Sequence, residues 1–244
     1  MMSPPPSTKR GIEKEGYKTM IKTTLHPITK QLRRSFCTRH NDKMEGMQSI
    51  STSPLTNRYC EDRMKAGNLV CAHCFSKKAN DRFPALAEKL KRNSALWSNT
   101  LYSMEYMPEI TVEKFRLEAF GDLFSVTQAR NYLTLCHANP SVRFALWTKN
   151  PFILWDALEA EGFDKPKNLV VVYSSPVLNH PADNMLKLYI MPNGRPMIDK
   201  VFTVYTPDYI KSHTVKINCG ARNCKACGRC YTKRTSSFVN EKLK

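Results

Sequence analysis

Four cysteines lie within twelve residues of one another near the end of this 244-residue chain. We call Cys219, Cys224, Cys227 and Cys230 the terminal cysteines. Small, flexible or basic residues separate them, so the packing of an apolar core does not explain the run. Short Cys-x-x-Cys turns bring two sulfur atoms within reach of one metal ion or cluster. The spacing therefore predicts a metal site.

Two kinds of metal group suit the terminal cysteines. Zinc would take all four thiolates in a closed tetrahedral site, although zinc ligands more often come as two separated pairs. Iron–sulfur clusters accept compact runs, and the Cys-x4-Cys-x2-Cys interval also occurs in plant-type ferredoxins. We expect an iron–sulfur cluster here, with zinc as the alternative metal. With either metal the site would also pin this segment to the body of the protein.

A second set of cysteines lies earlier in the chain. Cys60, Cys71 and Cys74, which we call the loop cysteines, are accompanied by His73 and Phe75. Three protein ligands leave one coordination position vacant, and such a vacancy distinguishes reactive metal sites from closed structural ones. In a four-iron, four-sulfur (4Fe-4S) cluster, one iron would be left to hold a small molecule. The alternative is that Cys71 and Cys74 form half of a zinc site that is completed elsewhere.

The two remaining cysteines give no such pattern. Cys136 lies among apolar residues of a predicted helix, and a buried core thiol is the simplest interpretation. Cys37 lies in a basic segment and is interpreted as a surface thiol. We assign neither of them to a metal.

A group of polar residues follows a predicted strand in the middle of the chain. Arg116 and Glu118 are two residues apart, so on a strand they would share one face. They would then form a buried ion pair or bind the two ends of a zwitterionic ligand. Gly121 would let the backbone approach a ligand closely, and Asp122 lies at the end of the strand.

Trp147, Lys149 and Asn150 have a similar position at the end of the next predicted strand. We treat Lys149 and Asn150, together with Arg116, Glu118, Gly121 and Asp122, as candidate cofactor-binding residues.

These residues need elements to position them, and the apolar pattern predicts such elements. Helix and strand alternate through most of the middle of the chain, which favours a parallel sheet with crossover helices. The predicted strands are 48–54, 115–120, 142–147, 169–173, 187–191 and 200–205, and the predicted helices are 83–101, 125–137, 152–161 and 207–212.

The predicted fold class is therefore α/β, either a partial (β/α) barrel or an open parallel sheet, followed by a cysteine-rich C-terminal metal-binding segment. In parallel sheets, binding sites collect beyond the carboxyl ends of the strands. Several of the polar groups fall at such ends: Cys60, Gly121 with Asp122, residues 148–150, and Ser174 with Ser175.

Charge divides the chain into three parts. Residues 1–44 and 211–244 carry net charges of +7 and +8 out of a total of +17, which leaves the middle nearly neutral. We predict a basic, poorly ordered arm over residues 1–42, an α/β domain with the cysteine loop over residues 43–212, and the cysteine-rich segment over residues 213–244. Basic ends of this kind predict attraction to phosphate-rich partners such as nucleic acid.

Neither an apolar run long enough to span a bilayer nor an apolar signal core after the first charges is present in the sequence. We therefore expect no membrane contact and a reducing cytoplasm, where thiols more often bind metal than form disulfides.

Several motifs together resemble a phage and prophage family known as the gene product 88 family. They are Ser49-Ile-Ser-Thr-Ser-Pro54, Cys71-x-x-Cys74-Phe75, Glu118-Ala-Phe-Gly-Asp122, Phe144-Ala-Leu-Trp-Thr-Lys-Asn-Pro151, Ser174-Ser-Pro176 and the terminal cysteines with Tyr231. The resemblance runs from about residue 44 to the last residue, and it implies the cytoplasm of a bacterial host.

Proteins of this family in turn resemble distant relatives of the radical S-adenosylmethionine enzymes. By that resemblance the loop cysteines would hold a 4Fe-4S cluster whose open iron binds S-adenosylmethionine. Only the last interval of the superfamily's Cys-x3-Cys-x2-Cys pattern is matched. The segment with Glu118, Gly121 and Asp122 would contact the amino group of the cofactor, and the terminal cysteines would hold an auxiliary cluster.

Three functions are consistent with these observations. The first is an iron–sulfur enzyme of the radical S-adenosylmethionine type. The second is a nucleic-acid-binding accessory protein with structural zinc or iron–sulfur sites. The third is a cluster-bearing redox or sensing protein without radical chemistry.

Overall fold

The computed structural model describes residues 25–243 except for residues 39, 41, 68, 221 and 222. Six strands form one sheet, in which every hydrogen-bonded pair of strands is parallel and the strands lie in the order of the sequence. The sheet is open, so the prediction of an α/β fold on a parallel sheet is confirmed and no closed barrel forms. The strands are β1 (Gln48–Ile50), β2 (Lys114–Leu117), β3 (Arg143–Thr148), β4 (Leu169–Ser174), β5 (Lys200–Tyr205) and β6 (Phe238–Lys242).

Helices connect these strands, and their starts follow local rules. The Ser125 hydroxyl accepts a hydrogen bond from the Gln128 amide at 3.1 Å, which is typical of an N-cap. Proline occupies the first turn of four helices, where its missing N–H costs nothing. The helices are α1 (Pro27–Ser35), α2 (Arg58–Lys65), α3 (Phe75–Arg82), α4 (Pro84–Ser98), α5 (Val126–Ala138), α6 (Pro151–Ala160), α7 (Met185–Leu188), α8 (Pro207–Ser212) and α9 (Cys224–Cys227).

The larger core lies on one face of the sheet, which we call the helix face. Leu169 and Val171 of β4 point to it, as do the equivalent residues of β2 and β3. They pack against apolar side chains of α1, α4, α5 and α6. A sheet whose neighbouring strands follow one another in sequence places right-handed crossovers on the same face, which explains this one-sided arrangement.

The opposite face carries Val170 and Val172 of β4 and Phe202 and Val204 of β5. We call it the cysteine face, because Cys219 and Cys230 pack against these residues and Cys224 packs against a neighbouring cluster. The cysteine-rich segment therefore covers the face that the helices leave bare. Residues 213–243 also supply β6, so this segment is built into the sheet.

The sheet is curved toward the cysteine face. The rings of Trp147 on β3 and Phe202 on β5 have centroids 4.5 Å apart, although β4 lies between their strands. Lys43, which precedes β1, forms an ion pair with Glu241 on β6. The two ends of the sheet are thus joined across the cysteine-rich segment.

The predicted arm over residues 1–42 differs from the structure in its described part. Residues 1–24 lie outside the described residues, but Pro27–Ser35 forms a helix. Trp97 Nε1 donates to the Ser35 hydroxyl at 2.9 Å, and Leu32 is fully buried in the core. The apolar residues of this helix are few and lie between basic ones, so the composition of the segment did not indicate a helix that packs on the core.

Other boundaries also differ. Residues 187–191 were predicted as a strand, but Met185–Leu188 is a short helix, because a run of five mostly apolar residues does not distinguish the two periods. Cys60 lies in α2 and not in a loop. None of the helices in the described part of the chain combines the length and the apolar character that crossing a bilayer requires.

Candidate metal-binding sites

The loop cysteines lie at the carboxyl edge of the sheet. Cys60 is in the first turn of α2, where its amide donates to Asn57 Oδ1 at 3.4 Å. The same Asn57 side chain donates through Nδ2 to the carbonyl oxygen of Asp122 at 3.0 Å. The Tyr59 hydroxyl donates to the carbonyl oxygen of Lys149 at 2.5 Å. These bonds fix α2 over the ends of β2 and β3.

Cys71 and Cys74 are held at the same edge, over the end of β4. The Val70 amide donates to the carbonyl oxygen of Pro176 at 2.8 Å, and Leu69 forms a bridge with Val177. Cys74 is the N-cap of α3, and its sulfur accepts from the Lys77 amide at 3.5 Å. The segment that carries these cysteines therefore crosses three strand ends.

Charged groups surround the loop cysteines. Burial raises the pKa of the Cys60 thiol, and the negative charge of Asp122 adds to the rise, whereas Lys149 opposes it. Burial also raises the pKa of the Cys71 thiol, with Lys149 and Arg63 opposing. The neighbouring thiols of Cys71 and Cys74 also raise the pKa of Cys60, and that of Cys74 raises the pKa of Cys71. Metal binding would thus replace protons, with two cations nearby to balance the thiolates.

Asp122 lies where the sequence predicted it, beside this group. It is buried and accepts hydrogen bonds from the Thr148 hydroxyl at 2.5 Å and from the Lys149 and Leu123 amides at 2.8 Å each. Burial raises the pKa of its carboxyl, while Lys149 and these bonds oppose the rise. Asp122 therefore ties the end of β3 to the β2 loop within electrostatic reach of the thiols.

Arg116 and Glu118 do not share a face, so that prediction is wrong. β2 ends at Leu117, and Glu118 adopts a positive φ of 57°, which turns its side chain away from the direction that strand alternation would give. Arg116 lies on the cysteine face, with its guanidinium 4.3 Å from the Trp147 ring centroid. No ion pair between them occurs in the described part of the chain, and Arg116 is not at the carboxyl edge.

Glu118 is buried within a network that uses both carboxyl oxygens. Tyr132 OH and Gln128 Nε2 donate to Oε1 at 2.6 and 2.7 Å, and the Thr52 hydroxyl and amide donate to Oε2 at 3.0 and 3.2 Å. Burial raises the pKa of Glu118 to about 8, against the effect of these donors. The carboxyl group is fully engaged in joining β1, β2 and α5.

The contacts of Gly121 and Asn150 also indicate structural roles. Gly121 has a φ of +79°, and a Cβ atom there would lie 2.5 Å from the Thr52 carbonyl oxygen. Asn150 caps α6, with its amide bonded to Thr148 Oγ1 at 2.9 Å and its Nδ2 bonded to the Leu123 carbonyl oxygen at 3.2 Å. Of the six candidate cofactor-binding residues, Asp122 and Lys149 are the two beside the loop cysteines.

The terminal cysteines are carried by β6, α9 and the turn that follows. The Cys219 amide donates to the Asn240 carbonyl oxygen at 3.0 Å, which attaches it to β6. Cys224 and Cys227 begin and end α9, whose C-cap Gly228 has a φ of +62°. Cys230 follows in a 3₁₀ turn, Arg229–Tyr231.

Cations again lie beside the sulfur atoms. Burial raises the pKa of the Cys230 thiol to about 12, and the positive charge of Arg116 opposes the rise. Burial also raises the pKa values of Cys219 and Cys224, with Lys43 opposing in both cases. The Nζ atom of Lys43 lies 3.8 Å from Cys219 Sγ. Neither cation was predicted to lie here, because Lys43 and Cys219 are far apart in sequence and no local pattern links them.

The chemistry of both groups fits a thiolate-bound metal. All seven cysteines lie in the described part of the chain, and no disulfide joins them. Among the described residues, no three His, Cys, Asp or Glu side chains are already arranged to share an ion. The thiols of either group would therefore have to draw together on binding. Soft thiolates without oxygen ligands suit zinc or iron–sulfur clusters.

The other two cysteines are outside both groups. Cys136 is fully buried in α5, where burial raises the pKa of its thiol well above the ordinary value. Cys37 forms a backbone bridge with Ser49 at the outer edge of β1.

A family model described as gene product 88 matches residues 14–233. The chain belongs to the gene product 88 family. The predicted resemblance is therefore confirmed, and the match includes both cysteine groups of this chain. Neither a curated protein nor a solved structure matches the chain. Membership in the gene product 88 family thus names no activity, and function has to be argued from the sites.

Proposed function

We propose that this protein binds metal through both cysteine groups, as 4Fe-4S clusters, and that the loop cysteines form its reactive site. One observation supports the proposal: the seven cysteines lie in two sets, three at the carboxyl edge of the sheet and four in the segment against the cysteine face, and the thiols of either set would draw together on metal binding. Each group has cations beside it, Lys149 and Arg63 at one and Lys43 and Arg116 at the other.

The positions of the two groups support different roles. The loop cysteines lie at the carboxyl edge of a parallel sheet, where ligands bind in such folds. When bound there, a cluster with three protein ligands supplies a coordination position for a small molecule. Lys149, held by Tyr59 and Asp122 through its backbone, would offer a positive charge to an anionic part of that molecule.

The terminal cysteines lie against the cysteine face and offer four thiols. A group with four protein ligands leaves no coordination position, so its role would be to carry electrons or to hold the segment in place. We propose this group as the auxiliary site.

Metal analysis tests the proposal. The protein would be purified without oxygen and analysed for iron, sulfide and zinc, beside the variants Cys71→Ser/Cys74→Ser and Cys224→Ser/Cys227→Ser. We expect each double variant to lose about half of the iron and sulfide of the parent protein. Cys136→Ala, which removes a thiol outside both groups, should keep the full content. Zinc in place of iron and sulfide would contradict the cluster assignment, and a folded, metal-free protein would contradict the whole proposal.

S-adenosylmethionine is the small molecule that the sequence resemblance implies for the loop cysteines. If it binds there, the reduced protein should cleave it, and the Cys71→Ser/Cys74→Ser variant should not. A protein that holds both clusters yet fails to cleave S-adenosylmethionine under dithionite would retain the iron–sulfur proposal and exclude this reaction.

A further inference from the structure

Arg116 occupies an unusual position on the cysteine face. It projects from β2 between the apolar strand residues and the terminal cysteines, with its guanidinium over the Trp147 ring. Its Nη1 lies 3.7 Å from Met44 Sδ, which is a weak acceptor. The positive charge acts on the thiols of Cys224 and Cys230. A delocalised cation is thus held on the cysteine face, within electrostatic reach of two of the terminal cysteines.

Two N–H groups at this position lack acceptors. Arg116 Nε and Trp147 Nε1 are both buried, and neither has a hydrogen-bond partner among the described residues. Trp147, Cys224 and Cys230 all pack against the same small cluster of buried residues, Met47, Ala145 and Tyr231. A buried donor without a partner is destabilising, so two of them side by side indicate a place for a further acceptor.

The sulfur atoms of the terminal cysteines are the candidates for that acceptor, because the charge of Arg116 acts on two of them. The Cys224 and Cys230 thiols would become thiolates in a metal complex, and a cluster adds inorganic sulfide. Both are acceptors, and both carry negative charge that a guanidinium would balance. Hydrogen bonds to these sulfurs are among the factors that set the reduction potential of a cluster.

We infer that Arg116 and Trp147 donate N–H···S hydrogen bonds to the metal group of the terminal cysteines, with Arg116 as its positioning residue. This inference rests on the proposed function. Lys43, paired with Glu241 and 3.8 Å from Cys219 Sγ, balances charge on the other side of the same group.

Stacking alone does not explain the arrangement. An Arg that only covered an aromatic ring could leave all of its nitrogen atoms in water, whereas here Nε is buried beside the cysteines. Trp147 Nε1 is likewise buried, and no residue that the structure describes accepts a hydrogen bond from it.

Three substitutions separate the components of the inference. Arg116→Met keeps apolar contact with Trp147 but removes the charge and the donors. Arg116→Lys keeps the charge and removes the planar Nε donor. Trp147→Phe keeps the aromatic contacts with Arg116 and Phe202 and removes one N–H. Arg143→Met, on the exposed start of β3, is the matched control.

The readouts are iron and sulfide content, the midpoint potential of the terminal cluster and its rate of loss to a chelator. They would be measured in the Cys71→Ser/Cys74→Ser background, so that one cluster is observed. We expect Arg116→Met to lower the potential and to speed chelator loss about tenfold, as is typical for outer-shell partners of a metal. Arg116→Lys should restore part of both effects, and Trp147→Phe should lower the potential by a smaller amount.

Failure of this inference differs from failure of the proposed function. A parent protein without iron would overturn both. A parent with its cluster, in which Arg116→Met and Trp147→Phe behave like Arg143→Met in potential and chelator loss, would overturn the inference alone. If Arg116→Met does not fold, the Arg116→Lys and Trp147→Phe variants decide the question by the same two readouts.

Discussion

Glu118 is a buried carboxyl group whose four donors come from two segments, the helix α5 and the loop after β1. Burial nevertheless raises its pKa to about 8 from an ordinary value of 4.5. The unfolded chain therefore releases this proton at a lower pH than the folded protein does. Between these two values the unfolded state binds fewer protons, so the free energy of unfolding falls as pH rises.

We predict that Glu118→Gln makes the free energy of unfolding depend less on pH. In the parent protein the contribution of Glu118 to the free energy of unfolding should fall by roughly 1 kcal/mol per pH unit between about pH 5 and 8. Urea unfolding at several pH values would measure it. Glu88→Gln, at an exposed position of α4, should leave the slope as it is. If Glu118→Gln and the parent keep the same slope, the carboxyl group is ionised throughout and its donors outweigh its burial.

At the scale of elements, the turn after β2 lies directly on the loop after β1. Gly121 permits this contact, because the Thr52 carbonyl oxygen occupies the space of a side chain. The Thr52 amide and hydroxyl meanwhile bind Glu118 in the same turn. The contact between these two loops supports the segment that carries the loop cysteines, which is bonded to the loop after β2 through Asn57.

We predict that Gly121→Ala destabilises the protein by about 3 kcal/mol, through strain at a positive φ and a clash with backbone. Gly162→Ala is the matched control, since Gly162 also has a positive φ of 62° but has open space around it. It should cost only about 1 kcal/mol. Thermal or urea unfolding measures both, and equal costs would show that the contact with Thr52 relaxes freely.

The elements also show what a sequence can predict. β4 is an almost continuous apolar run and β5 is rich in β-branched and aromatic residues, so composition identifies both as buried strands. β6 contains Asn240 and Glu241, which an edge strand tolerates, and it was missed. α2 is polar and was taken for a loop, because its helical state depends on the Asn57 cap and on contacts to distant strand ends. Asp122 and Lys149 follow the ends of neighbouring strands, so strand order places them beside the loop cysteines. The position of Arg116 near the terminal cysteines was not predicted, because the sequence did not show that β2 ends at Leu117.

For the whole molecule, the ion pair between Lys43 and Glu241 joins the two ends of the sheet. Both side chains are largely shielded from water, with 24% and 22% exposure, so the pair should contribute more than a surface pair does. It also fixes the position of Cys219 relative to the segment before β1.

We predict a coupling energy of about 1 kcal/mol in a double-mutant cycle with Lys43→Met and Glu241→Gln. The control cycle uses Lys77 and Asp81, an i,i+4 pair on α3 with exposures of 49% and 52%. That cycle should give at most about 0.5 kcal/mol. A coupling at Lys43 and Glu241 no larger than that of the control would mean that the sheet ends are held together by packing alone.

The ion pair between Lys43 and Glu241 has a consequence for folding during synthesis. During translation the strands up to β5 emerge while the valine-rich side of the sheet still lacks its cover. The cysteine-rich segment and Glu241 are synthesised only afterwards, so the nascent chain passes through an intermediate in which one apolar face of the sheet is exposed. Contacts between residues so far apart close slowly, which lengthens that stage. If the terminal cysteines bind metal as proposed, that binding would coincide with the last step of folding, and chains made without the metal would keep the valine-rich face exposed for longer.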